Sequence, residues 1–102
     1  MSRIIALSYL FAGVMCAGAA HALGAEAWIA KSDDLERHRE AFLIAATELV
    51  ENGTCTPNEF VEHGGWVRSG SFEPRPVYFM YCGGPTVANR LYLDVSTGEV
   101  FR

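Results

Sequence analysis

The sequence predicts an α+β fold in which a long N-terminal helix and a short helix pack on an antiparallel meander of three or four strands, tied by one disulfide. Three observations predict this architecture. Apolar residues recur at helical spacing over 33–51, whereas apolar runs and alternating patterns bounded by Gly and Pro occupy 66–102. Cys55 and Cys82 lie at a helix start and at a strand end, where a bond between them would join the two layers. Helices followed by strands with short turns are typical of α+β domains.

Residues 1–22 have the three parts of a secretory signal peptide. Arg3 supplies a positive start, 4–15 form an apolar run, and the small residues that follow end in Ala-His-Ala at 20–22, a cleavage pattern. The apolar run is shorter than the roughly 20 residues needed to cross a bilayer, so we expect no stable membrane anchor after cleavage. The sequence therefore predicts a secreted or periplasmic protein with a single small domain over 23–102.

Cysteine usage agrees with export. Removal of 1–22 would take away Cys16 and leave Cys55 and Cys82. An even pair in a small exported chain favours one disulfide, and a domain of about 80 residues, which buries a thin core, needs that support. Two free buried thiols are the alternative, which an oxidising compartment disfavours.

The charge distribution argues against a nucleic-acid partner. The chain has 8 Lys and Arg against 12 Asp and Glu, and its formal net charge is −4. Nine acidic and three basic residues fall between Glu26 and His63, so we expect the helical side to be negative and the sheet side to be nearly neutral. Nucleic-acid binding surfaces are basic, so this negative balance argues against a nucleic-acid partner.

Two helices are predicted by their apolar stripes and their caps. Helix 33–51 begins at a capping box formed by Asp33 and Glu36 and ends at Asn52-Gly53. Its apolar stripe consists of Leu35, Phe42, Ala46 and Leu49. A second capping box, Thr56-Pro57-Asn58-Glu59, begins a helix of about two turns that ends at Gly64-Gly65. Residues 23–31 have no clear period and are predicted to be a loose lead-in that Trp28 and Ile29 dock onto the core.

Four strands are predicted over 66–72, 77–82, 90–95 and 99–102. The strand 77–82 is the centre of the sheet, because it is apolar or aromatic at every position and is bounded by Pro76 and Gly83. Apolar residues on both sides of one strand predict that the strand is buried on both faces of the sheet, either within the domain or against a partner.

The outward face of that central strand is the candidate interaction surface. If the disulfide holds Cys82 on the helix side, alternation places Tyr78 and Met80 there too and directs Val77, Phe79 and Tyr81 to the other side. We expect Trp66 or Phe72 to join them. Either the lead-in around Trp28 folds back over this face, or the face is left for a protein partner or a second copy of the chain.

The segment Leu91-Tyr92-Leu93-Asp94-Val95-Ser96-Thr97-Gly98-Glu99-Val100-Phe101 resembles the closing hairpin of PepSY domains, in which an aromatic-aliphatic strand runs into Asp, Thr-Gly and a short hydrophobic strand. The match covers about a tenth of the chain, and a Thr-Gly turn is common. The second capping box, the Gly64-Gly65-Trp66 junction and the cysteine pair depart from the family pattern. The resemblance implies a small exported module that binds or restrains another protein, often a protease, and it assigns no catalytic residue.

Few residues have the arrangement of a catalytic or metal site. Glu59 and His63 are four apart on one helical face, which is half of a metal site, but the nearest other His in the mature chain, His38, is on another helix. Cys55 or Cys82 with His63 as base would give a hydrolase, although a structural pair is more common in exported proteins. We therefore predict no catalytic residue, no metal and no cofactor, and expect a non-catalytic binding module. A PepSY-like protease-inhibitory module is the first alternative. A small hydrolase or metal-binding protein using His63 is the second.

Overall fold

The computed structural model describes residues 24–102, so the predicted signal peptide lies outside the described residues and stays a prediction. The predicted α+β class is confirmed. The elements are α1 (Leu35–Glu51), α2 (Pro57–His63), β1 (Val67–Arg68), β2 (Val77–Tyr81), a 3-10 turn (Val87–Asn89), β3 (Arg90–Asp94) and β4 (Glu99–Phe101). Within 24–102 no helix has the length and the apolar character that a bilayer crossing requires.

The four strands form one antiparallel sheet in the order β1-β2-β3-β4. One row of paired residues crosses all four strands. Phe79 of β2 lies opposite Val67 of β1 on one side and Tyr92 of β3 on the other, and Tyr92 lies opposite Phe101 of β4. Both helices contribute to a core on one face of this sheet, which we call the inner face. Its largest fully buried side chains include Phe42, Phe60, Trp66, Tyr78, Met80 and Leu93.

The predicted capping box at Asp33 and Glu36 is wrong. Helix α1 begins after Asp34, which has a left-handed backbone (φ 54°) and makes no capping bond with its side chain. The Asp33 carboxylate instead accepts the N–H of Arg68 at 2.8 Å, and the Asp34 carboxylate accepts the Tyr78 hydroxyl at 2.6 Å. Both acids therefore tie the helix start to the sheet rather than to the helix itself.

The second capping box is confirmed. The Thr56 hydroxyl accepts the N–H of Glu59 at 3.2 Å, and the Glu59 carboxylate accepts the N–H of Thr56 at 2.9 Å, with Pro57 at the helix start. The second oxygen of Glu59 accepts the N–H of Gly83 at 2.6 Å. This bond lowers the pKa of Glu59 most, burial opposes it, and the bonds from Thr56 add to it. One carboxylate thus caps α2 and holds the loop that follows β2.

The predicted disulfide is confirmed. Cys55 and Cys82 are bonded, with their Cα atoms 5.1 Å apart and 27 positions apart in sequence. Both are buried at the corner where α2 begins and β2 ends. Closing a loop of this length stabilises the fold by roughly 3.5 kcal/mol in the chain-entropy model. The bond therefore fixes the end of β2 on the helical side of the sheet.

The lead-in is more ordered than the sequence predicts. Residues 24–28 are helical, and Ala25 and Ile29 are buried. The Trp28 ring stacks on Phe60 with their centroids 6.5 Å apart. Trp28 therefore packs on the helical side as expected, and of the two alternatives for the other face of the sheet, the one in which the lead-in covers it is wrong.

The strand predicted over 66–72 is shorter in the structure, and Trp66 at its start faces the core. Only Val67–Arg68 pairs with β2. Trp66 is fully buried on the inner face, stacked on Phe42 at 6.2 Å and edge-on to Phe60 at 5.7 Å. Ser32 holds it there, because its hydroxyl accepts the N–H of Trp66 at 2.8 Å. Of the two residues expected to join the outward face, Phe72 therefore does so and Trp66 does not.

Gly65 allows this junction. Its backbone is left-handed (φ 75°), and a Cβ there would collide with the side chain and backbone of Ser32. The chain can therefore pass from α2 into Trp66 only with glycine at this position.

Candidate functional site

The face of the sheet away from α1 carries a continuous group of aromatic side chains, which we call the outer aromatic face. Its members are Phe72, Phe79, Tyr81, Tyr92 and Phe101, and each is partly exposed. Phe79, Tyr92 and Phe101 form one row across three strands because they are opposite one another in the register. Phe72 comes from the loop between β1 and β2 and folds over the end of that row.

The rings of this face contact one another in a chain. Phe72 is edge-on to Tyr92 at 5.0 Å and to Phe101 at 5.6 Å, and Tyr92 stacks on Phe101 at 5.4 Å. Phe79 is edge-on to Tyr81 at 5.7 Å and to Tyr92 at 6.5 Å. These separations and tilts are the ones that aromatic pairs prefer, so the surface is ordered before any partner arrives.

Arg90 covers one end of the face with its guanidinium. The carbon Cζ lies 4.5 Å from the ring centre of Phe79 and 5.1 Å from that of Tyr81, which is cation–π geometry. The guanidinium also donates to the Tyr81 hydroxyl at 2.5 Å. Hydrogen bonds to Tyr81 and then to Tyr92 raise the pKa of Arg90, so the charge is permanent. His63 lies beside Tyr81 with the two rings 5.7 Å apart.

Arg75 and Asp94 form a polar corner at the other end. Arg75 lies over Phe72 and Phe101 at 5.8 and 5.6 Å and donates to Asp94 at 3.0 Å. Asp94 is almost fully buried and accepts the hydroxyl of Ser96 at 2.5 Å and its N–H at 2.9 Å. The Ser96 hydroxyl lowers the pKa of Asp94 most, burial opposes this, and Arg75 lowers it further. The arginine charge here is therefore already partnered within the chain.

The three residues that the sequence selects are placed on this face but are not equivalent. Phe79 and Tyr81 are partly exposed, whereas Val77 is fully buried. Val77 lies opposite Asp94 in the register, and both residues are buried. Val77 therefore has no exposed surface for a partner to contact. The use of this face as an interaction surface stays a prediction.

Four members of this region were not selected from the sequence, namely Arg75, Arg90, Tyr92 and Phe101. The alternation over 90–95 does put Arg90 and Tyr92 on a common side, which is a usable signal. Joining that side to Phe79 requires the register between β2 and β3, which alternation alone does not supply. Arg75 comes from a loop whose course has no periodic pattern.

The possible metal and hydrolase residues are engaged in structural contacts. The two carboxylate oxygens of Glu59 accept the N–H groups of Thr56 and Gly83, and His63 lies against Tyr81. The part of the chain that the structure describes contains no group of three His, Cys, Asp or Glu side chains able to hold a metal ion. The disulfide leaves neither Cys55 nor Cys82 as a thiol.

A polar cluster on the inner face has a structural explanation. The Tyr78 hydroxyl donates to Asp34 and accepts from Arg68 at 3.4 Å, and Arg68 also pairs with Glu73. Burial, together with the bond to Asp34, raises the pKa of Tyr78. A tyrosine whose pKa is raised stays protonated near neutral pH and is not an activated base. The cluster therefore joins α1 to the sheet rather than forming a reactive centre.

Comparison with protein-family models, with curated proteins and with solved structures finds no match to this chain.

Proposed function

We propose that this protein is a small exported, non-catalytic binding module that holds a protein partner on the outer aromatic face. The observation that carries the proposal is the face itself, since five partly exposed aromatic side chains adjoin one another and two arginines lie over them. Aromatic residues and arginine are the types most enriched where protein partners gain binding energy.

The order of the face supports the same function. Each ring is in contact with at least one other, and Arg90 is held by Tyr81 as well as by the rings. A surface that is already rigid loses little conformational entropy when a partner docks. The helices and Trp28 pack on the inner face, which leaves these rings partly open to solvent.

Export is the second part of the proposal. Residues 1–22 have the pattern of a signal peptide, and the remaining cysteines are bonded to each other. A disulfide in a small domain is typical of secreted and periplasmic proteins, because cytosolic thiols are kept reduced. The partner is therefore proposed to be another exported protein.

A PepSY-like protease-inhibitory module is a narrower form of this function. It is supported by the β3–β4 hairpin, in which Thr97 and Gly98 end the four-residue turn at 95–98 between the two short strands. Under this alternative the partner is a protease, and its inhibition by the purified domain is the distinguishing measurement. A hydrolase or metal protein using His63 has less support, because Glu59 and both cysteines are already engaged.

The test compares Phe79→Ser with Val61→Ser, a matched loss of one exposed apolar side chain on α2, where Val61 is 57% exposed. The domain over 23–102, with its disulfide intact, is used to isolate a partner from an exported-protein fraction, and binding is then measured with that partner purified. Phe79→Ser should weaken binding by about ten-fold or more, whereas Val61→Ser should leave it unchanged.

Two results would contradict the proposal. Equal binding by wild type and Phe79→Ser would place the partner elsewhere. Unfolding of Phe79→Ser as severe as that of Leu49→Ser would make Phe79 a core residue. A third outcome is self-association, which sedimentation of the domain alone measures. If the wild-type domain is a dimer and Phe79→Ser is a monomer, the outer aromatic face binds a second copy of the chain.

A further inference from the structure

A second surface lies along the free edge of the sheet, where α1 leaves β4 partly uncovered. One shallow hollow of about 420 Å³ lies between Glu40 and Ile44 on the helix and Val95 on the β3–β4 turn. Another of about 480 Å³ lies between the end of the helix and Val100. Glu48 lines both hollows, and we call the two together the β4 groove.

The backbone of β4 has an open side facing this groove. The N–H of Val95 donates to Pro76 at 3.1 Å, which shows that this residue faces β2. In an antiparallel ladder alternate residues face opposite neighbours, so Asp94 faces β4 and bonds with its register partner Glu99. Val100, the next residue along, must direct its N–H and C=O away from β3. Unpaired groups of this kind are available to an added strand.

The side chains beside this edge combine apolar and acidic character. Ile44 is 54% exposed, and Glu40 and Glu48 lie about one turn of helix before and after it. Within residues 24–102 neither glutamate carboxylate has a hydrogen bond or an ion pair. One apolar contact point therefore lies between two negative charges whose partners are not supplied by the described chain.

The spacing of these three residues fits an extended chain. A helix rises 1.5 Å per residue, so Glu40, Ile44 and Glu48 are about 6 Å apart in succession. Side chains on one face of a strand are about 6.7 Å apart. Helix and edge run in the same direction, because Glu40 and Ile44 lie beside the turn while Leu49 and Asn52 lie beside Val100.

We propose that the β4 groove binds an extended basic segment of a partner protein, which adds as a fifth strand beside β4. Its inward side chains alternate as basic, apolar and basic and meet Glu40, Ile44 and Glu48 in turn, while its backbone pairs with Val100. A second copy fits less well, because β4 and its next residue offer one basic side chain, Arg102, together with the acidic Glu99. This site adjoins the outer aromatic face at Phe101, which also lines the hollow beside Val100, but the proposal does not depend on that face.

The probe is an end-capped peptide, Thr-Lys-Thr-Val-Thr-Lys-Thr, titrated at low salt into the isotope-labelled domain over 23–102 and followed by NMR. We expect amide shifts at Val100 and along the Glu40–Glu48 face. The double variant E40K/E48K should weaken the affinity by about ten-fold. The matched variant E36K/E62K, which has the same net charge, should bind as wild type does.

Two further peptides make the result decisive. The version with glutamate in place of lysine should not bind, and a version N-methylated at alternate residues keeps the charges but cannot pair as a strand. Equal binding by the methylated peptide would overturn strand addition. Shifts confined to the Phe79–Tyr92 face, the absence of shifts at millimolar peptide, or β4 shifts that depend on protein concentration alone would each overturn the proposed occupant.

Discussion

The two faces of the same strands differ in what covers them. On the inner face Tyr78, Met80 and Leu93 are no more than 1% exposed, because both helices pack against them. On the outer face Phe79 and Tyr92 keep part of their surface in contact with solvent. Alternation decides which residue goes to which side, and the helices decide which side becomes the core. The aromatic content of a strand therefore does not by itself indicate burial.

Tyr78 and Tyr81 show the difference within one strand. Tyr78 is fully buried, and its hydroxyl donates to a carboxylate of Asp34 that holds the start of α1. Tyr81 is partly exposed, and its hydroxyl accepts from Arg90 within the outer aromatic face. The first hydrogen bond connects two layers of the fold, whereas the second orders a surface. Substitutions on the two faces should therefore have unequal effects on stability.

The largest contrast is expected between Phe42→Ala and Phe79→Ala. Phe42 is fully buried among Trp66, Tyr78 and the helices, so its truncation leaves a cavity and should cost about 3–5 kcal/mol of unfolding free energy. Phe79 is partly exposed, so its truncation should cost about 1–2 kcal/mol, part of it through the lost contact with Arg90. Urea unfolding of the oxidised domain measures both values.

If Phe42→Ala and Phe79→Ala lose the same unfolding free energy, the two faces of the sheet do not differ in their contribution to stability. Such a result would mean that the outer rings are as tightly packed as the core, and the outer aromatic face would then be a second core layer. The disulfide must stay intact in both variants, since its loss alone changes stability by a similar amount.

Most elements of this fold can be predicted from the sequence, because each depends on residues that are close together in the chain. The stripe on α1, the capping box at Thr56, the strand at 77–81 and the disulfide all depend on neighbouring residues or on cysteine parity. The first capping box fails for a long-range reason. Asp33 and Asp34 bond with Arg68 and Tyr78, which are 35 and 44 positions away, and local spacing contains no signal of these contacts.

The candidate site is only half predictable for a related reason. Alternation along 77–81 places Phe79 and Tyr81 on one side without knowledge of any other strand. The row that joins Phe79 to Tyr92 and Phe101 depends on two registers. The loop at 82–89 connects the strands of the first pair, and the turn at 95–98 connects the strands of the second. Phe72 reaches the face from an irregular loop, so its position depends on packing rather than on period.

A smaller contrast is expected between Tyr78→Phe and Tyr81→Phe, which remove one hydroxyl from each face. Loss of the Tyr78 hydroxyl takes a hydrogen-bond donor from the Asp34 carboxylate and should cost about 1.5 kcal/mol. Loss of the Tyr81 hydroxyl releases Arg90, whose guanidinium can be solvated instead, and should cost about 0.5 kcal/mol or less. The same unfolding measurement ranks the two, and a larger loss at Tyr81 would reverse the proposed roles.

The last contrast is between acid and neutral pH, and it is expected at Asp94, the buried charge on the outer side of the sheet. Asp94→Asn keeps an acceptor for Ser96 but loses the charge that faces Arg75, whose side chain is 50% exposed and therefore screened by solvent, so we expect a loss of about 0.5–1 kcal/mol at neutral pH. Because the pKa of Asp94 is lowered in the folded state, this contribution is present above the ordinary value of 3.8 and is lost as the pH falls through the folded pKa. Wild type and variant should therefore converge in stability below about pH 3.8 and separate above it. Glu99→Gln, which changes the exposed carboxylate opposite Asp94 in the register, is the control. It should leave the change in unfolding free energy between acid and neutral pH as it is in the wild type. If wild type and Asp94→Asn instead differ in unfolding free energy by the same amount at all pH values, the charge of Asp94 does not stabilise this corner of the outer face.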